Sequence, residues 1–426
     1  MFKGKVNANA NAYILSRLEI KKNYDEMFNS KIEIPQSIGN EKIFSGIKHP
    51  IYTPNKKIIG SWHEGSEKDI HNAINSSLSV HKYWSNISWA DRAYIFLKAA
   101  DLISGPYRSI INAATMICQS KNLFKSDTAC ELIYFLRFNV FYANKIFNFK
   151  PRLGFVVAIT PFNFTYMALM GNVVLWIPSE KQLYYANILM EIFKKSGLPD
   201  GVINCLLTNC KSKTTSNVIL KHPNFSGVTG SVFKYFYKNF IWVHPNSNPK
   251  EVSKALLYGA FESQINVSRA YIPKFLWKKS IKKKLIENIH SMKLGSPRNF
   301  SNLITSLIDK ISFLKLKGYI DRAQNDNNCN IIIGGKCDSS KGYFITPTVI
   351  ETINPYYESM IDEIFGPVLT VYLYEDCNWE KTISLVKNLK SCFTGYIFCD
   401  DRDIISYLTK KFKYYAGNIF INYNQY

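Results

Sequence analysis

The sequence predicts an α/β protein made of two units, each a largely parallel sheet covered by helices. Three observations lead there. After Gly154, short apolar runs alternate with amphipathic stretches of helical spacing. A second alternating series begins at Phe240. The 426 residues, 46% hydrophobic and 15% aromatic, exceed what one core takes up and exclude a disordered chain.

In chain order, Ile95, Phe96, Ala99, Leu102 and Ile103 recur at helical spacing from Trp89, and Gly105-Pro106 stops the run. A second helix is expected over about 128–147, with Thr128 and Glu131 as a capping box. Up to this point the chain reads as mainly helical. Strands are then expected at 155–159, 173–176, 202–206 and 225–228, with helices at 181–196 and 212–221 between them. Strands separated by helices imply right-handed crossovers and a parallel sheet. Gly197, with Pro199 just beyond, ends the first of these helices. The second series has helices near 250–262, 281–290, 303–324, 379–390 and 404–411. Its strands are expected at 270–272, 331–333, 368–372, 396–398 and 418–421, and 325–330 reads as a loop. The expected division is residues 1–239 and 240–426.

Composition narrows the function classes. No uninterrupted apolar run reaches the ~20 residues that cross a bilayer. The nine cysteines lack C-x-x-C spacing and histidine partners, which argues against zinc or a disulfide scaffold and for a reducing compartment. Lys3, Lys5 and Arg17 precede no apolar segment, so a secretory signal is not expected and a weak transit peptide stays open. The formal charge of +21 raises nucleic acid or an acidic membrane as partners. The basic residues are dispersed, however, and Lys278-Lys279 with Lys282-Lys283-Lys284 read as the solvated face of a helix. Neither partner is expected.

Specific motifs go further. I-T-P-F-N-F at 159–164 and M-G-N-V-V-L-W-I-P-S-E at 170–180 are followed by G-L-P-D-G-V-I-N at 197–204, V-T-G-S at 228–231 and S-R-A-Y-I-P at 268–273. G-G-K-C-D-S-S-K-G-Y-F-I-T-P-T-V at 334–349 and D-E-I-F-G-P-V-L at 362–369 complete the series. In this order they resemble the aldehyde dehydrogenase family from about Ile34 onward. D-R-A-Y-I-F-L-K-A-A-D-L-I-S-G-P-Y-R at 91–108 and E-L-I-Y-F-L-R-F-N at 131–139 resemble its L-glutamate γ-semialdehyde (pyrroline-5-carboxylate) branch. The resemblance implies a Rossmann-type NAD domain, preceded by the helical region, within 1–239 and a catalytic-type α/β domain within 240–426. It also implies a small aldehyde substrate oxidised to L-glutamate in proline breakdown, and a mitochondrial matrix or cytoplasmic location. A homo-oligomer or a paralogous partner is the association it suggests.

Candidate site residues follow. Gly230-Ser231 ends a strand and opens a helix, so free N–H groups and the helix dipole can hold a pyrophosphate; a simple turn and cap is the alternative. Glu180 follows a strand, where a carboxylate accepts ribose hydroxyls and repels a 2′-phosphate, favouring NAD; it also suits an ordinary helix entry. By resemblance, Glu363 and Phe365 in E-I-F-G-P contact the nicotinamide ribose, while Gly366-Pro367 alone would mark only a turn. Asn163 matches the oxyanion-stabilising Asn of the family, although a buried strand-end Asn looks the same.

The resemblance also exposes gaps. The family's nucleophilic Cys belongs between A-F-E and S-R-x-Y-x-P, but residues 261–269 contain no cysteine, and Ser263 has no base to activate it. The general-base Glu belongs to an E-x-G-G-K-N-like stretch, yet V-T-G-S-V-F-K-Y-F-Y runs almost directly into K-N-F-I-W-V-H. A helix between Thr165 and Leu169 is cut to about one turn. Ile177 replaces a commonly ribose-binding Lys, and the chain is expected to be truncated at its C-terminus after A-G-N-I-F-I-N at 416–422. None of the seven histidines stands beside a Cys or Ser in a way that restores the chemistry. The expectation is an NAD-dependent dehydrogenase scaffold without turnover; the alternative is a pseudoenzyme that binds a dinucleotide or a paralogous partner.

Overall fold

A computed structural model describes residues 2–123, 127–145, 154–160, 164–208, 213–230, 238–262, 267–388 and 392–422. The chain divides into two compact units, Met1–Lys234 and Tyr235–Tyr426.

In the first unit, the helix Phe2–Asn29 is followed by five short strands: β1 (Ile32–Ile34), β2 (Gln36–Ile38), β3 (Glu41–Ile43), β4 (Lys48–Tyr52) and β5 (Ile58–His63). The sequence reading had none of them. They are three to six residues long and mix charged with apolar positions, so no periodicity announces them. Their pairing supplies what the local sequence lacks: β1 runs parallel to β5, and β5 antiparallel to β4. Helices Glu67–Asn86, Trp89–Ser104, Arg108–Gln119 and Thr128–Ala143 come next.

Thr128, expected as a cap, is instead the first residue of its helix. Asp127 takes the cap position without a side-chain cap hydrogen bond, because its carboxylate is held by Arg108 at 2.7 Å and by Asn112 at 3.3 Å. Ser66, in contrast, builds a complete capping box with Asp69 at the start of Glu67–Asn86.

Four strands then form the parallel part of a six-stranded sheet: β6 (Phe155–Ile159), β7 (Val173–Trp176), β8 (Ile203–Cys205) and β9 (Phe225–Gly230). They lie in the order β8-β7-β6-β9 and are all parallel, with β2 and β3 added antiparallel beyond β8. This order is the 3-2-1-4 half of a Rossmann-type sheet, whose direction of winding reverses between β6 and β9. Buried Asn204 ties the edge to the helices: it accepts from Gly39 N at 2.7 Å and donates to Ser77 Oγ at 2.8 Å and Gly201 O at 3.1 Å. The helix Leu183–Ser196 ends at Gly197, whose φ of 96° is left-handed, as a glycine stop requires.

The second unit contains β10 (Phe240–Val243), β11 (Arg269–Pro273), β12 (Lys293–Leu294), β13 (Asn302–Ile304), β14 (Cys329–Ile333), β15 (Cys337–Asp338) and β16 (Phe344–Ile345). After these come β17 (Thr348–Thr352), β18 (Val368–Tyr374), β19 (Cys392–Phe398) and β20 (Ala416–Ile421). Seven of them form one sheet, ordered β14-β17-β18-β11-β10-β19-β20, parallel throughout except for β14. Phe240 and Trp242 pack into one core layer while Ile241 and Val243 pack into another, so the sheet is buried on both faces.

The helix expected over 303–324 is shorter. Asn302–Ile304 pairs with Lys293–Leu294 as a strand, and Asp309 caps a helix that starts only at Lys310, accepting from Ser312 N at 2.7 Å. The helix expected over 250–262 is α-helical for Pro249–Leu257 and becomes a π-turn at Tyr258–Glu262.

Candidate functional site

Gly230 is the last residue of β9 and lies in register with Ile159, the last residue of β6. It therefore sits at the carboxyl edge, at the point where the winding reverses, which is where open α/β sheets take ligands. Its φ is 137°, and a Cβ there would lie 2.2 Å from the Ile159 carbonyl oxygen. Only glycine lets the two strand ends approach this closely. Ser231 lies outside the described residues.

Glu180 opens the 3-10 turn Glu180–Gln182 beyond β7, on the other side of β6, and is exposed. Glu180 and Gly230 thus share one carboxyl edge, separated by the central strand, a span of roughly 10 Å at the usual strand spacing. Ile177, at the position where the family commonly has Lys, is 3% exposed, and its backbone N–H extends the ladder to Ala158 O at 2.8 Å.

Asn163 falls outside the described residues, but the positions bounding 161–163 are fixed. The Trp176 indole donates to Thr160 O at 2.8 Å, and its ring packs on buried Phe164 with 4.6 Å between centroids. Behind them the cut helix survives as the single turn Thr165–Leu169. Trp84 donates to Ala168 O, which also accepts from Gly171 N, and Arg92 donates to Leu169 O, each at 2.9 Å, so side chains from other helices help satisfy the carbonyls at the end of this turn.

In the second unit, Glu363 and Phe365 precede β18 at its amino end. Glu363 is half-buried, and that burial pushes its carboxyl up while Lys315 and then Lys238 draw it back down. Phe365 is 64% exposed although it is a large apolar ring. Gly366 follows with φ 152°, and a Cβ on it would meet Leu316 at 2.6 Å, so the turn is packed tightly from behind.

Sequence reasoning missed the residues that brace this turn. Lys238, fully buried, donates to Asp362 O at 2.6 Å; Lys315 donates to Glu363 O at 2.8 Å; Tyr319 donates to the Asp362 carboxylate at 2.7 Å. The available signal was a lone lysine inside the aromatic run Y-F-Y-K-N-F-I-W.

The described thiols do not stand in for a nucleophile. Burial pushes Cys118 up to about 12 and Cys205 higher still, and Cys392 up to about 11. Cys377 is exposed, beside Lys274, Phe275 and Lys278. Residues 263–266, including Ser263, lie outside the described residues. Among the described residues no three His, Cys, Asp or Glu side chains gather to hold a metal, and no helix is long and apolar enough to cross a membrane.

Comparison with known proteins agrees with this architecture. Residues 46–232 and 237–425 match the aldehyde dehydrogenase family. The mitochondrial delta-1-pyrroline-5-carboxylate dehydrogenase of Dictyostelium discoideum is 35% identical, over 92% of this chain and 81% of that protein. The human mitochondrial enzyme of the same name is 33% identical, over 91% of this chain and 79% of its own length. A crystal structure of the delta-pyrroline-5-carboxylate dehydrogenase of Mycobacterium tuberculosis superposes with a TM-score of 0.89 at 30% identity, covering 95% of this chain and 85% of that one. A second structure of that enzyme, bound with NAD, gives a TM-score of 0.88 at 29% identity, covering 96% and 86%. With the match spanning most of its length, the chain belongs to the aldehyde dehydrogenase family.

Proposed function

We propose that this chain is an NAD-binding member of the delta-1-pyrroline-5-carboxylate dehydrogenase branch that keeps the dinucleotide cradle and has lost turnover. The observation that carries the reading is the place of Gly230: it ends β9 at the carboxyl edge of a Rossmann-type sheet, beside the end of β6, at the reversal point where such sheets take a dinucleotide. The residues present fit the cofactor. Residues 1–239 would hold the adenosine side, with Gly230 and Ser231 at the pyrophosphate and Glu180 at the ribose hydroxyls. Residues 240–426 would supply Glu363 and Phe365 to the nicotinamide ribose, one by hydrogen bonding and one by packing. Buried Ile177 offers no ammonium to the ribose, so affinity should be weaker than in a relative with Lys there.

When bound, NAD supplies the acceptor for the electrons of an aldehyde, which in the active relatives of this branch is L-glutamate γ-semialdehyde. The chain's own residues contribute binding and, through Asn163, an oxyanion donor. They contribute no thiolate between Phe261 and Arg269 and no general-base Glu after Gly230. The mitochondrial matrix is the compartment we favour, supported by the mitochondrial relatives, and association with itself or a paralogue is the partner reading.

Two measurements on the purified chain test this. Calorimetry should detect NAD binding, and absorbance at the NADH band should stay at the buffer level with the semialdehyde present. Absence of binding heat would remove the cofactor reading; NADH formation above the control would remove the claim of lost turnover.

A further inference from the structure

A charged side chain without exposure is costly unless something compensates. Lys238 enters β10 with 2% of its surface exposed. Burial first, then the Arg269 guanidinium, push its ammonium well below the ordinary lysine range; Asp362 and Glu363 draw it back, and Lys315 adds to the lowering. These groups face it from β11, from the segment before β18, and from the helix Lys310–Gln324.

The hydrogen bonds form a pattern. Two successive carbonyls, Asp362 O and Glu363 O, are each taken by an ammonium, from Lys238 at 2.6 Å and Lys315 at 2.8 Å. Tyr319 holds the Asp362 carboxylate, and Arg269 closes the far side by donating to Lys238 O at 3.0 Å. With two consecutive carbonyl directions set, the planar peptides on either side of Glu363 leave its backbone little freedom, and they set the course of the chain that leads to Phe365 two residues on. A buried lysine kept only to fill space is replaceable by an apolar side chain of similar length at little loss. Its place on this backbone points to another task.

We propose that Lys238, acting with Lys315, is a positioning residue that holds Glu363 and Phe365 in the pose that receives the nicotinamide ribose. This rests on the dinucleotide-binding reading. Lys238 does not itself meet the cofactor; it works through the peptides of Asp362 and Glu363.

The test compares the full-length chain with K238M, K238R and K315M in two ways: calorimetry with NAD from neutral to alkaline pH, and amide hydrogen exchange over 358–368 without cofactor. K238M should weaken NAD binding roughly tenfold and speed exchange at 362–366 while leaving β10 and β11 protected. K315M, exposed and screened, should lose roughly threefold. Losing the ammonium charge weakens the hydrogen bond from Lys238 to Asp362 O, so the native affinity should fall as pH rises through the depressed lysine value. K238R should restore affinity and abolish that fall, because arginine does not titrate there.

Equal affinity and equal exchange in K238M would overturn the proposal, as would identical pH profiles for K238R and the native chain. Should the native chain bind no NAD, the dinucleotide reading fails by itself, and exchange decides the rest: faster exchange in K238M supports loop holding and unchanged exchange refutes it. Should K238M fail to fold, K315M exchange and the K238R profile carry the decision.

Discussion

Replacing Gly230 with alanine tests the crossing of β6 and β9 directly. A Cβ at Gly230 would stand 2.2 Å from Ile159 O, about 1 Å inside ordinary contact. The strand ends must part by about that distance or the φ of 137° must change. Holding a non-glycine residue in this backbone region costs ~1–3 kcal/mol, and forcing an extra methyl into a packed site adds ~1–3 kcal/mol. A total of roughly 3–4 kcal/mol lowers the midpoint of a unit this size by roughly 10 °C. Gly197→Ala is the matched comparison: its φ is 96°, but a Cβ there meets nothing within 4 Å. It should lose only the backbone component, ~1–2 kcal/mol. Thermal unfolding by circular dichroism reads both, and calorimetry with NAD, below the transition of each variant, reads the cradle. Equal midpoint losses for the two alanines, or native NAD affinity in Gly230→Ala, would refute the reasoning.

Other outcomes follow from the same physical picture. Asn204→Ala strips partners from Gly39 N, Ser77 Oγ and Gly201 O in a fully buried site and should cost roughly 3 kcal/mol in urea unfolding; a loss near zero would mean water replaces it. Glu33 is held below the usual carboxylate range by Lys48 and then by His63. A depressed acid contributes stability above its unfolded value that disappears as pH falls through the folded one, so Glu33→Gln should flatten the acid limb of the stability profile. An unchanged limb would show that the pairing contributes nothing. Cys377 is exposed whereas the Cys118 and Cys205 thiols are buried and pushed up. Cys377→Ser should therefore remove one fast-reacting thiol from a disulfide-exchange titration, and an unaltered fast phase would contradict the exposure.

Long apolar runs were legible because burial on both faces of a parallel sheet writes itself into composition: β6 and β7 begin and end at the residues read from sequence. The strands between Ile32 and His63 were not: β1 is defined by a distant partner, as Ile32 is by Gly60, and the hairpins β2–β3 and β4–β5 are short and mix charged with apolar positions. The capping box at Thr128 was locally reasonable and lost to a longer-range ion pair between Arg108 and Asp127. Among the candidate site residues, Gly230 was visible as a motif, but its reason, the Ile159 carbonyl, belongs to another strand. Lys238 was invisible because every group that defines its role, Arg269, Lys315, Asp362 and Glu363, comes from elsewhere in the sequence.

The closed surroundings of Ile177 bear on what this position can hold. With 3% of its surface exposed and its N–H committed to Ala158, this position is part of the interior. A lysine substituted there would have to pass an ammonium out through packed neighbours or leave it desolvated, at a cost of several kcal/mol. The position is thus closed to a cationic side chain until the neighbouring side chains open a path for it.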